Sequence, residues 1–148
     1  MPDEHRYTAT ASWDATERSG ALESGSRLLA VPFGGAPSLG GRADRTNPEE
    51  LLLGAVVTCF VQTWAIFLAK LRVPVAAPRV DGALELEVDP AGGYRVGRVD
   101  LVAHVPSALL PEREADVAKT LALAEKYCIV SKALKGGGLE VHVTTRPA

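Results

Sequence analysis

The sequence predicts an α+β fold, and three observations carry that expectation. Apolar and polar side chains alternate with the period of a strand in two separate blocks, one near the N-terminus and one in the middle of the chain. Between them, Leu51–Leu71 is almost wholly apolar, as a deeply packed helix would be. Helical segments lie between blocks of antiparallel strands rather than in strict alternation with single strands, which favours α+β over a doubly wound sheet. The 148 residues suit one domain over positions 1–148. At 47% apolar and 23% charged residues, the composition is that of a chain able to build a core.

The elements follow in order. Side chains alternate from Tyr7 to Trp13, a turn-prone stretch runs from Asp14 to Gly20, and short strands are expected over Ala21–Glu23 and Arg27–Val31, together a small β-meander. Pro32–Thr46, rich in Gly and Pro, reads as a loop because proline would remove ladder hydrogen bonds. Asn47 then offers a capping oxygen, Pro48 suits the first helical position, and Glu50 stands three residues after the cap, as a capping box requires. The helix so opened should run through Leu51–Leu71 and stop before Pro74. Being apolar all round, it is expected to be buried all round.

Val80–Val88 alternates, Asp89–Gly93 is a turn, and Tyr94–Val105 alternates again, which predicts an antiparallel hairpin with one wet face. Pro111 opens a second helical region whose apolar positions are Ala115, Ala118, Leu121, Leu123 and Ala124, with a kink near Tyr127. Cys128–Lys135 reads as a further helical piece, stopped by Gly136–Gly138, and Leu139–Thr145 as a closing strand. One small sheet cannot cover so apolar a central helix, and a second copy of the chain is the economical remedy.

Several function classes are excluded. The basic residues are scattered and the net charge is −2, so nothing in the chain forms a footprint for nucleic acid. Met1–Ser12 lacks the basic-then-apolar layout of a signal peptide, which points to the cytoplasm. Leu51–Leu71 has the length of a bilayer span, but Thr58, Gln62 and Thr63 fall within it and no flanking charge sets an orientation, so a core or dimer helix is expected instead. Two distant cysteines do not make a disulfide scaffold. His5, His104 and His142 stand at no usual zinc-ligand spacing from them.

Read alone, Cys59 in Ala55-Val56-Val57-Thr58-Cys59-Phe60 is a packed core thiol before it is a nucleophile. Cys128 lies beside Lys126, Ser131 and Lys132, where positive charge could lower a thiol pKa. Glu49 and Glu50 complement the positive end of the helix dipole. With Glu50 in the capping box, Glu49 is spare.

Two motifs add a resemblance. Thr46-Asn47-Pro48-Glu49-Glu50-Leu51-Leu52, followed by Cys59-Phe60, resembles the helix-opening signature of the OsmC/Ohr (osmotically inducible protein C / organic hydroperoxide resistance) family. Cys128-Ile129-Val130-Ser131-Lys132-Ala133-Leu134, followed by a short linker and a strand, is similar to that family's second-cysteine helix. The resemblance covers most of the chain. It implies an OsmC-like α+β fold of antiparallel sheets and long central helices, an intertwined homodimer, and reduction of organic hydroperoxides. Cys59 would then be the peroxidatic thiolate, oxidised to sulfenic acid, and Cys128 the resolving thiol.

The resemblance also assigns Glu49 to hold an arginine over the reactive sulfur, a role that suits guanidinium because it stays charged and forks to carboxylate. Arg18 is the first candidate, Arg42 the second and Arg45 the third; Ser38 stands where one branch of the family has its arginine. Ile129 departs from the proline that usually follows the second cysteine. Trp64 and Phe67 could wall an apolar channel for an alkyl peroxide, although core packing is their first reading. The implied reductant is a dithiol, of dihydrolipoyl type, and no metal, haem or flavin is required because sulfur supplies both electrons. The rival expectation is a dimeric binder of a hydrophobic ligand, or a redox sensor, without peroxidase activity.

Overall fold

The computed structural model describes residues 5–136 together with Gly138 and His142, so the expected closing strand over Leu139–Thr145 falls, apart from His142, outside the described residues. The fold is α+β, with two antiparallel sheets and three α-helices among the described residues. The chain divides between Leu52 and Leu53 into two compact units.

The first unit holds the meander. Strands β1 (Ala9–Asp14), β2 (Ser19–Ser24) and β3 (Ala30–Phe33) pair antiparallel in chain order. Asp14 closes the first turn, its Oδ1 accepting the N–H groups of Thr16 and Glu17 at 2.9 and 3.1 Å. Gly20 is required in β2 because a Cβ there would lie 2.2 Å from the Ser12 carbonyl oxygen and 2.7 Å from the Phe33 ring. The expected third strand over Arg27–Val31 is shifted: Arg27 sits in a turn at φ +61°, and the strand includes Pro32, which pairs with Ala21. Proline is tolerated because β3 is an edge strand, where its missing N–H has no ladder partner to lose. Beyond it the loop holds a single 3-10 turn at Pro37–Leu39.

Helix α1 spans Pro48–Lys70. Asn47 Oδ1 accepts the Glu50 N–H at 2.9 Å, as the cap predicts. The capping box is only half made, because the Glu50 carboxylate takes the Thr46 hydroxyl at 2.7 Å instead of returning to the Asn47 N–H.

In the second unit, strands β4 (Val80–Val88) and β5 (Tyr94–Ala103) form the expected hairpin, with a bulge where Glu85 faces Arg98 and Leu86 faces Val96. Helix α2 (Glu114–Tyr127) breaks at Cys128, whose backbone is extended, and α3 (Ile129–Leu134) follows, so the kink near Tyr127 is present. Gly136, at φ +84°, follows its end.

The core of this unit gathers Phe60, Trp64, Leu68, Val73, Val80, Val117, Ala124 and Cys128. Burying each large aliphatic or Phe side chain stabilises the fold by about 2 kcal/mol. Trp64 is fully buried, and its indole N–H donates to Thr120 Oγ1 at 3.0 Å, while the Thr120 hydroxyl donates to the Val117 carbonyl at 2.7 Å. That pair corrects the expected face of α2. Its buried positions are Val117, Thr120 and Ala124, while Ala115 and Ala118 face solvent, because a threonine that satisfies an indole packs where sequence alone reads a polar residue. The expectation that α1 is buried all round is also corrected. Val56, Phe60, Trp64 and Leu68 form one stripe at every fourth residue, whereas Ala55, Thr58, Gln62 and Ile66 are exposed. Within one chain, a hairpin and two shorter helices cover only one side of so apolar a rod. By length and composition α1 is also long and apolar enough to cross a membrane.

Candidate active site

The second unit brings the two cysteines together. Cys59 lies midway along α1 and Cys128 at the break between α2 and α3; both are free thiols, the first half-buried and the second fully buried. Cys128 stands at the break between α2 and α3, and the Val130 and Ile129 amides at the start of α3, together with the Cys128 thiol, favour the ionised form of the Cys59 sulfur. The Ser131 hydroxyl in turn lies 3.1 Å from Cys128 Sγ and donates to it.

Burial pushes the Cys59 thiol up, because a thiolate loses hydration there. The Val130 amide, the Cys128 thiol, the Ile129 amide and the Thr63 hydroxyl act against it and leave the thiol below its ordinary value. The Thr63 hydroxyl also donates to the Cys59 carbonyl at 2.7 Å. Sequence reasoning placed a helix after Cys128 but not its amides on Cys59. The signal available was Ile129 itself, since a proline there would have had no N–H to give.

The three candidate arginines lie in the first unit, around Gly34. A Cβ built on that glycine would sit 3.6 Å from the Arg18 carbonyl oxygen, 3.6 Å from Arg45 Cβ and 3.8 Å from Arg42 Cβ. Their guanidinium groups are held differently. Arg18, in the left-handed region at φ +53°, donates to the Gly40 carbonyl. Arg42 forks onto Asp44, with Nε and Nη2 at 2.8 and 2.7 Å from the two carboxylate oxygens, and also donates to the Glu17 carbonyl at 3.0 Å. The Arg42 hydrogen bond holds the Asp44 carboxyl well below its usual range, at about 2. Arg45 Nη1 meets the same carboxylate at 3.0 Å, but its Nε is buried without a partner among the described residues. Glu49, in the first turn of α1, likewise has a buried Oε2 with no partner among the described residues. Asp44 was not singled out from the sequence, although the run Arg42-Ala43-Asp44-Arg45 places a carboxylate between two guanidiniums.

A cavity of about 500 Å3 opens in the second unit, walled by Val56, Phe60, Val99, Leu101 and Leu134, with Ser131, Arg98, Glu125 and Lys135 as its polar members. Ser131 links it to Cys128. Trp64 and Phe67, weighed earlier as channel walls, are not among its lining residues: Trp64 belongs to the core, and the Phe67 ring packs 5.5 Å from that of Tyr127.

The chain is similar to several known proteins. The chain is 27% identical over 146 residues to the uncharacterized protein YmaD of Bacillus subtilis, covering 92% of this chain and 90% of that one. It is 34% identical over 91 residues to organic hydroperoxide resistance protein-like 1 of Staphylococcus epidermidis, covering 62% of this chain and 63% of that protein. Among solved structures, an organic hydroperoxide resistance protein OsmC from Legionella pneumophila superposes with a TM-score of 0.75 at 26% identity, over 89% of this chain and 90% of that chain. The family model described as OsmC-like protein matches residues 41–144, a span that contains α1 and both cysteines. The chain belongs to the OsmC-like protein family.

Proposed function

We propose that this protein is a two-cysteine thiol peroxidase that reduces organic hydroperoxides. The observation that carries the reading is the surroundings of Cys59, where two amides and the Cys128 thiol favour a thiolate, while the Ser131 hydroxyl donates to Cys128 Sγ. The Cys59 thiolate attacks one oxygen of ROOH, the O–O bond breaks, and the alkoxide leaves as ROH after taking a proton, so that Cys59 becomes a sulfenic acid. Cys128 then attacks the Cys59 sulfur, water departs, and a disulfide forms; a dithiol reopens it. The organic hydroperoxide resistance names of the relatives support the same chemistry.

The family resemblance supports a guanidinium held by Glu49 in this chemistry, and among the described residues Arg45 Nε and Glu49 Oε2 are a buried donor and acceptor without a partner. The exposed apolar side of α1 favours a homodimer, and the protein is assigned to the cytoplasm. The direct test is stopped-flow consumption of cumene hydroperoxide with dithiothreitol as reductant; Cys59→Ser should be inactive, and a variant as active as the parent overturns the reading. One observation favours a second reading, a binder of hydrophobic ligands with redox-sensing thiols: the apolar cavity beside Ser131. A ligand retained through purification, with slow peroxide consumption, would select it.

A further inference from the structure

Four of the chain's five lysines gather at one place. Phe67 of α1 and Tyr127 of α2 stack at a tilt, 5.5 Å between centroids. Lys70 stands over the Phe67 ring at 5.6 Å, and Lys126 and Lys132 over the Tyr127 ring at 5.2 and 5.8 Å. Lys135 joins Lys126 and Lys132 in lining a groove on α2 and α3, where it pairs with Glu125 at 2.7 Å. Among the described residues Lys70, Lys126 and Lys132 have no carboxylate partner, whereas seven arginines of the chain are paired with one. In a chain of net charge −2 this face therefore carries an unneutralised positive excess. It also exposes apolar surface: Tyr127 is 47% and Ile129 75% exposed, and between them in sequence lies Cys128, fully buried.

We propose that this lysine-ringed aromatic face is the docking surface for an acidic protein carrying the dithiol that reopens the Cys59–Cys128 disulfide. The proposal rests on the peroxidase reading. A disulfide with one sulfur fully buried is poorly open to a free collision and favours a thiol delivered by a partner held beside it. Unpaired lysines next to exposed aromatic and aliphatic side chains suit a partner surface of carboxylates around an apolar centre. A thiolate of the docked dithiol attacks one sulfur, forms a mixed disulfide and releases the other cysteine, which takes up a proton. The partner's second thiol then attacks its own bridged sulfur and frees the remaining cysteine. Two electrons and two protons pass to the protein, and the partner leaves as an internal disulfide.

The test uses two synthetic Cys-Gly-Pro-Cys peptides, one with a glutamate tail and one with a glutamine tail, against the full chain oxidised by cumene hydroperoxide. Disulfide formation is read first, by mass. If peroxide leaves the thiols free, the peroxidase reading fails by itself, and oxidation with diamide still puts the docking surface to the test. The acidic peptide should reduce the disulfide about tenfold faster at low salt, an advantage lost at high salt. Lys126→Glu combined with Lys132→Glu should abolish that preference, and Lys126→Gln with Lys132→Gln should weaken it. The readout is the ratio of the two peptides within each variant, which loss of fold does not bias. Equal rates with the parent protein overturn the proposal. So does flotation with phosphatidylserine vesicles that depends on the same lysines while the peptides react alike, an outcome that assigns the face to a membrane.

Discussion

The surroundings of the thiols and of the arginine loop show two ways of handling charge in one small protein. Around Cys59 the polar groups are neutral dipoles: two amides, a thiol and a hydroxyl, arranged in residues 53–148 by a helix break. Around Asp44, in residues 1–52, the groups are full charges, and in the same unit Arg45 Nε and Glu49 Oε2 are buried with no partner among the described residues. Backbone dipoles are fixed when the chain folds, and salt screens them little. Guanidinium and carboxylate side chains can swing, exchange partners and respond to what binds. The thiol pair thus carries a built-in preference for ionised sulfur, whereas the arginine loop keeps capacity in reserve.

The largest effects should separate the two cysteines. Cys59→Ser is expected to lower peroxide turnover on the order of a thousandfold or more, the scale on which losing a nucleophile is felt. Cys128→Ser should consume one equivalent of peroxide and stop at a sulfenic acid, which dimedone labels on Cys59. Dimedone labelling of Cys128 in Cys59→Ser at the parent rate would reverse the two roles.

The arginine loop should come next. If Arg45 and Glu49 hold the reserve, Arg45→Ala lowers the peroxide rate constant by about ten- to a hundredfold, with a smaller loss for Glu49→Gln. Arg42→Ala, which removes a guanidinium already forked onto Asp44, should change the rate less than about twofold. An equal loss in all three variants would mean that the loop acts through its shape and not through one free donor.

Much of this was legible in the sequence. Period-two alternation marked the meander and the hairpin, the Asn47–Pro48 opening marked the start of α1, and the break at Cys128 was placed at Tyr127. What was misread depended on partners distant along the chain. Thr120 is buried because Trp64 needs an acceptor, a pairing across 56 positions that no local pattern displays. Pro32 sits in a strand because β3 is an edge, which only the pairing order decides. At the site, both cysteines could be picked out by motif. The amides of Ile129 and Val130 could not, since backbone groups have no residue code and their direction follows from the break.

That direction supplies a subtler prediction. Ile129→Pro keeps the start of α3, where proline is well tolerated, but deletes one donor to Cys59. Iodoacetamide alkylation of Cys59 at neutral pH should fall several-fold, and its pH profile should move upward. Stability should respond with a definite sign. A thiol whose folded pKa is depressed contributes stability that is present above the unfolded value of about 8.5 and is lost as pH falls through the folded value. The melting-temperature gap between the parent and Cys59→Ser should therefore widen as pH rises toward about 8.5, and widen less with proline at 129. An unchanged alkylation profile in the proline variant would leave the Val130 amide and the Cys128 thiol as the only effective donors.

The smallest effect belongs to Asp44, and it sharpens the contrast between screened charges and fixed dipoles. The hydrogen bond from Arg42 depresses its carboxyl to about 2, with the Arg42 and Arg45 charges assisting. A depressed carboxyl contributes stability that is complete above its unfolded value of about 3.9 and disappears as pH falls through about 2. Asp44→Asn should therefore melt slightly below the parent at neutral pH, and the two should converge between about pH 4 and pH 2. Because Asp44 is exposed, molar salt should erase most of the neutral-pH difference, while the alkylation profile of Cys59, set by amides and a thiol, should hardly move with salt. A Cys59 profile that shifts with salt as strongly as the Asp44 effect would show that full charges, and not the dipoles at the helix break, govern the sulfur.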